Sequence, residues 1–269
     1  MEGRRARRMD AEAPKFELRL AADEADLRAA QRLRYEVFVA ELGGDGEMVD
    51  HDARLEADPF DAHCDHLLLI DHAGEGAGEG EGKVVGVYRL LPGTRAEAAG
   101  GFYTEGEYDL TPLKTSGRNL LELGRSCLAP EYRGGMAMFH LWGALWDYVE
   151  ERGIEVLFGT ASFHGTDLQA LAAPLSLLHH SHLAPAALRP EVLPPNGRAM
   201  NILPETQLNR PEAMRAVPAL IKAYLRLGGW VGQGAFLDHA FNTTDVCLVL
   251  DATQVSPRQV AIYRKDRAP

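Results

Sequence analysis

Residues 120–159 constrain the fold more than any other stretch. An apolar strand at 120–128 runs into a turn containing Pro130, Gly134 and Gly135 then open a helix over about 135–152, and residues 154–159 return as a short apolar strand. Strand, helix and strand in that order predict parallel pairing, because a crossover helix is the ordinary way to join parallel neighbours. The chain therefore reads as α/β.

The remaining elements fit one sheet. Residues 16–21 alternate apolar and charged and predict a strand; Asp23 then caps a predicted helix over about 25–42, with Leu27, Ala30, Leu33, Arg34, Val37, Phe38 and Leu42 at helical spacing. Residues 43–59, rich in Gly, Asp and Glu, predict a long loop of the kind that carries function. Strands follow at 66–71 and 83–91 around a Gly/Glu hairpin tip at 74–82. Helices at 167–182 and 219–227, a Pro-rich irregular stretch at 185–204 and strands at 235–239 and 245–251 complete the chain. There is no internal repeat and no clean break, so residues 16–269 read as a single domain around a mixed sheet.

Composition narrows the partners. The 269 residues are 46% hydrophobic, enough for a sizeable core, yet no apolar run approaches the roughly 20 residues that cross a bilayer and no secretory signal opens the chain. The expectation is a cytoplasmic protein. A net charge of −11 argues against nucleic acid, whose phosphates need clustered Lys and Arg. Three widely spaced cysteines, Cys64, Cys127 and Cys247, form neither a disulfide framework nor a zinc ribbon. Arg4, Arg5, Arg7 and Arg8 crowd a tail over residues 1–15, which reads either as plain disorder or as a weak tether to anionic lipid at the inner membrane.

The motifs RYEVF (34–38), DPFDAHCDHLLLID (58–71), ELGRSCLAPEYR (122–133), GTASFHGTD (159–167) and PALIKAYLRLGGWVGQGAFLDHAFNTTDVCLVLD (218–251) together resemble the GCN5-related N-acetyltransferase (GNAT) superfamily. Within it they resemble the branch of acyl-homoserine-lactone synthases and ornithine lipid N-acyltransferases, and the long C-terminal motif is more similar to the latter. The resemblance implies a GNAT-like domain, with a mixed, mostly antiparallel sheet flanked by helices. It also implies transfer of a 3-hydroxyacyl chain from acyl carrier protein to the α-amine of ornithine or a similar amino acid such as glutamine. The donor would be the carrier's phosphopantetheine thioester, with no separate cofactor. Met136 and Met138 stand where the superfamily's phosphate loop has small residues after Arg133. That departure disfavours the coenzyme A diphosphate more than a carrier-borne arm.

Such a reaction needs a neutral amine, a stabilised oxyanion and a base. Glu122, a carboxylate within an apolar strand, is the candidate base or orients a water that acts as one; alternatively it pairs with Arg125, which requires a bulge because residues three apart on a regular strand face opposite sides. Gly124 is the natural place for that bulge. Arg125 joins Glu122 as the second catalytic candidate. Ser126, Cys127, Leu128, Arg133, Gly134 and Gly135 form the candidate oxyanion and phosphopantetheine loop, the helix opening there offering free N–H groups. The resemblance places Arg34, Phe38 and Arg89 beside the substrate, where the arginines alternatively make routine carboxylate pairs. Asp61 and Asp65 either bind the substrate's ammonium groups or turn the chain.

Other chemistries are weaker. Cys127 has no His partner in sequence to make it a nucleophile. His179, His180 and His182, with His63 and His66, lack the carboxylate or Cys spacing of a known metal site, and no metal is expected. Leu168, Leu171, Leu175, Leu178 and Leu183 line either an acyl tunnel or plain core. Lys114, Arg118 and Arg133 are the candidate basic patch for an acidic carrier. The competing functions are a lactone synthase or coenzyme A-dependent acetyltransferase on the same fold, and a lipid-binding or membrane-active protein with a decayed site, against which intact Glu122, Arg125 and Arg34 argue.

Overall fold

A computed structural model describes residues 14–46, 48–73 and 82–264. The arginine-rich tail and most of the predicted hairpin tip lie outside the described residues.

Strand β1 (Phe16–Leu20) leads to helix α1 (Glu24–Arg34), whose N-cap is Asp23 accepting the Asp26 N–H, as the spacing predicts. The helix does not stop there. It continues over Tyr35–Glu41 as a π-helix, a widening often found where a helix meets a functional site. The predicted loop at 43–59 contains a small hairpin, β2 (Val49–Asp50) with β3 (Leu55–Glu56), too short to leave a periodic signal.

Strands β4 (Asp65–Asp71) and β5 (Lys83–Pro92) form the expected antiparallel pair. Leu68 and Leu69 are fully buried although they point to opposite faces, so this part of the sheet is covered on both sides. Each such leucine contributes about 1.5–3 kcal/mol of burial. Residues 93–119, for which the sequence shows no clear period, hold helix α2 (Gly93–Ala96), a 3₁₀ turn at Tyr103–Gly106, strand β6 (Tyr108–Asp109) and helix α3 (Thr111–Lys114).

The strand, helix and strand unit follows as β7 (Leu120–Leu128), α4 (Ala137–Glu151) and β8 (Val156–His164). β7 and β8 are indeed parallel. Beyond them come α5 (Ala172–His182), β9 (Glu191–Val192), β10 (Gly197–Arg198), α6 (Arg210–Ala216), α7 (Ala219–Arg226), β11 (Trp230–Val231), β12 (Ala235–Asp238), β13 (Thr243–Asp251) and α8 (Pro257–Arg264). The sheet runs β1-β4-β5-β7-β8-β13-β12-β10, with β11 also on β13, and every pair except β7–β8 is antiparallel.

Two features of β7 create a cavity. First, its ladder with β8 extends only over Leu120–Glu122 against Val156–Phe158, although both strands are nine residues long. Past that point they diverge, and β8 stays with β13 along its whole length. Second, the register with β5 slips between Val87 and Arg89, where Gly124 to Cys127 on β7 take an extra residue and Arg125 adopts φ 50°. This is a bulge next to Gly124, as anticipated.

Candidate active site

The divergence of β7 and β8 opens a cavity of about 290 Å³ whose walls include Glu122, Gly124, Arg125 and Ser126 on β7 and Gly159 to Ser162 on β8. Phe38 closes it from the π-helical turn, and Leu220, Tyr224, Phe241 and Leu248 add apolar wall. The π turn and the bulge thus both point at the same space.

Glu122 is 4% exposed and accepts the Tyr103 N–H at 3.0 Å and the Thr104 N–H at 2.7 Å. Burial raises its pKa against the opposing pull of those N–H groups and of Arg89. The alternative Glu122–Arg125 ion pair is not formed. With its backbone turned at the bulge, Arg125 instead reaches Glu56 and Asp58, each at 3.1 Å, and stacks its guanidinium 4.7 Å from the Tyr103 ring centroid. Those contacts outweigh burial and raise its pKa.

Arg125 belongs to a larger buried network. Arg34, fully buried, pairs with Glu56 and with Asp61 at 2.7 Å, while Arg89 pairs with Asp58 and with Asp61 at 3.2 Å. Three guanidinium groups meet three carboxylates, so the formal charges balance in a region where an unpaired one would cost several kcal/mol. Burial would raise Asp61, but Arg34 and Arg89 prevail and bring it down to about 2. Gln31 donates to the second Asp61 oxygen.

The predicted substrate contacts are therefore redistributed. Phe38, Arg89, Arg125 and Ser126 line the cavity; Arg34 and Asp61 stand behind its wall, holding Arg89 and the Arg125 partners in place. Asp65 is turned away, accepting from Arg95 and Tyr148, so its carboxylate is committed elsewhere. Of the predicted loop, Ser126 reaches the cavity, whereas Cys127 and Leu128 are core and Arg133, Gly134 and Gly135 lead into α4 outside the wall. Burial pushes the Cys127 thiol up to about 12, the wrong direction for a nucleophile. Leu175 and Leu178 are fully buried in the main core rather than along the cavity, so α5 supplies packing and not a tunnel. The basic patch also dissolves: Arg118 pairs with Asp251 and Glu155 before the start of β7, Lys114 pairs with Glu105, and Arg133 pairs with Glu41 beyond the other end of β7, about 30 Å along the strand.

Several site residues escaped the sequence reading. Glu56 and Asp58 lie in a stretch without periodicity, and Tyr103 in one without a predicted element. Asp238 and Asp245 also line the cavity, and together with Glu107 they bring carboxylate oxygens within 4.8 Å of one another. Asp245 had a legible signal, since it stands within an apolar strand just as Glu122 does.

Comparison with known proteins fits this geometry. Residues 33–143 match the Acetyltransferase (GNAT) domain family. The chain is 54% identical over 250 residues to the L-ornithine N(alpha)-acyltransferase of Rhodobacter capsulatus, covering 93% of this chain and 95% of that one. The chain belongs to the L-ornithine N(alpha)-acyltransferase family. Members from Brucella abortus and Agrobacterium fabrum are 43% and 40% identical, covering 92% of this chain and 88% and 85% of theirs. Family membership makes it an N-acyltransferase, and the alternative of a decayed lipid-binding protein is set aside. Among solved structures, the coenzyme A-dependent acyl-homoserine lactone synthase BjaI matches with TM-score 0.51 at 16% identity, covering 94% of this chain and 89% of that one. FeeM, an N-acyl amino acid synthase from uncultured soil microbes, matches with TM-score 0.51 at 12% identity, covering 92% and 99%. At such identity these two show a shared GNAT fold with its mixed, mostly antiparallel sheet.

Proposed function

We propose that the chain transfers a 3-hydroxyacyl group from acyl carrier protein to the α-amine of ornithine, forming a lyso-aminolipid. The observation that carries this reading is the cavity at the β7–β8 divergence, which combines a bulged strand, apolar walls and carboxylates in one space. Its relatives' names supply ornithine as the acceptor.

The acyl thioester lies against the bulge at Gly124 to Ser126, with its arm toward the N-terminus of α4, which has no side-chain cap to occupy its N–H groups. The neutral α-amine attacks the thioester carbon. A C–N bond forms, and the carbonyl oxygen becomes an oxyanion facing backbone N–H groups of the bulged strand. Glu122 takes the ammonium proton, directly or through a water, its raised pKa bringing it nearer the value a base needs at neutral pH. Collapse breaks the C–S bond, and the proton passes to the departing pantetheine sulfur. Arg125, held by Glu56 and Asp58, fixes the bulge and the Tyr103 segment that positions Glu122.

No helix among the described residues is long and apolar enough to cross a membrane. The product is a lipid, and Arg4, Arg5, Arg7 and Arg8 suit weak peripheral attachment to an anionic inner-membrane surface from the cytoplasm.

The experiment is to supply purified protein and ornithine with 3-hydroxyacyl carrier protein or the matching acyl-coenzyme A at equal limiting concentration, and to follow amide product by mass spectrometry. Faster product from the carrier is expected. Equal rates overturn the donor assignment, and no amide from either donor overturns the function.

A further inference from the structure

We infer that Glu107, Asp238 and Asp245 form the subsite that takes the side-chain ammonium of the amino-acid acceptor, and thereby select a cationic acceptor over a neutral one. This rests on the reading that the chain acylates an amino acid at its α-amine.

The three carboxylates come from separate elements: Glu107 before β6, Asp238 at the end of β12, and Asp245 in β13. Glu107 and Asp245 are only 5% and 4% exposed, yet Oε2 of Glu107 and Oδ1 of Asp245 have no hydrogen-bond partner. Buried carboxylate oxygens without partners are uncommon and costly, and here two belong to one cluster. Asp238 and Asp245 line the cavity that also holds Glu122 and the bulge, so the cluster opens onto the reaction space.

The surroundings do not neutralise it. Burial, then the neighbouring Asp245 and Asp238, push Glu107 well above the usual carboxylate range, and Asp245 is pushed up to about 6 by burial, against hydrogen bonds from Ser162 and Thr243. The positive charge that acts on both is Arg125, whose guanidinium is committed to Glu56 and Asp58. The cluster is therefore short of a cation. An ammonium group carries three N–H donors in a compact head, matching three carboxylate oxygens. Calcium and magnesium take six or more oxygens, whereas only one oxygen from each of the three carboxylates converges here, which would leave half of such a shell to water. Ornithine has a second amine three methylenes from its α-carbon, so one end can occupy the cluster while the other meets the thioester.

Binding of ornithine and of norvaline, the same chain without the second amine, is measured by calorimetry, and kcat/KM is compared for both with 3-hydroxyacyl carrier protein. The parent should prefer ornithine by at least about 100-fold, as sites built around a substrate's polar group do. Glu107→Gln and Asp245→Asn, checked for folding by melting temperature, should each lower that preference tenfold or more. Equal binding of the two amino acids by the parent overturns the subsite, as does an unchanged preference in both folded variants. Displacement of ornithine by Mg²⁺, Ca²⁺ or Zn²⁺ reassigns the cluster to a metal and overturns it too. Selective ornithine binding without acylation leaves the subsite standing and removes the proposed function instead.

Discussion

Glu122 on β7 accepts the backbone N–H of Tyr103 at 3.0 Å, which ties a strand carboxylate to the aromatic residue under the Arg125 guanidinium. Because the next N–H, from Thr104, reaches the other oxygen, both ends of the carboxylate are used. A glutamine at this position can accept one N–H but offers an NH₂ to the other.

Glu122→Gln is accordingly expected to lose about 1–3 kcal/mol of stability from the buried mismatch, and, on the proposal that Glu122 is the base, turnover by roughly 100-fold or more. The two effects separate in the pH–rate profile. A base mutant regains activity as pH rises and more acceptor amine is neutral, whereas a purely positional defect shifts all pH values equally. A folded variant with near-normal turnover removes the base role.

The buried arginine network gives a sharper stability prediction. Arg34→Ala leaves Glu56 and Asp61 without their shared partner and should cost about 3–5 kcal/mol, read as a lowered denaturation midpoint. Asp61 holds its proton less readily folded, at about 2, than at its ordinary 3.8. Its contribution is thus full above about pH 4 and is lost as pH falls toward 2. An Asp61→Asn variant should show a flatter acid-unfolding curve over that range.

Asp245 has the opposite sign. Its folded pKa is raised from 3.8 to about 6, so the ligand-free fold favours its protonated form, and that stability is lost as pH rises through about 6. Asp245→Asn should therefore stabilise the ligand-free protein by up to about 3 kcal/mol at pH 8 and change little at pH 4. Melting temperatures at the two pH values check it; a destabilised variant at pH 8 contradicts it.

Much of this was legible in the chain. Periodicity located β7, α4 and β8, and Gly124 marked the bulge, because these are local and regular. The partners of Arg125 were not legible. Glu56 lies 69 residues away on a two-residue strand, and no local pattern announces a contact made only when the sheet closes. The acidic cluster was missed for the same reason: Glu107 and Asp245 are joined by tertiary packing around Tyr108, whose hydroxyl reaches the carbonyls of Gly234 and Asp245.

Gly159 tests the divergence of β7 and β8. A Cβ there would lie 2.0 Å from the Leu123 carbonyl oxygen, a backbone atom that cannot swing aside. Gly159→Ala should cost about 1–3 kcal/mol and distort the cavity wall, lowering acylation along with melting temperature. A fully active, fully stable alanine variant would mean that the strands tolerate a wider gap.

Tandem mass spectrometry of the product formed from 3-hydroxyacyl carrier protein and ornithine is the most direct test of the central claim. The expected result is a single amide at the α-nitrogen, with the side-chain amine free, and loss of that product in the Glu122→Gln variant. Acylation at the side-chain nitrogen, or release of free 3-hydroxy acid with no amide, contradicts it.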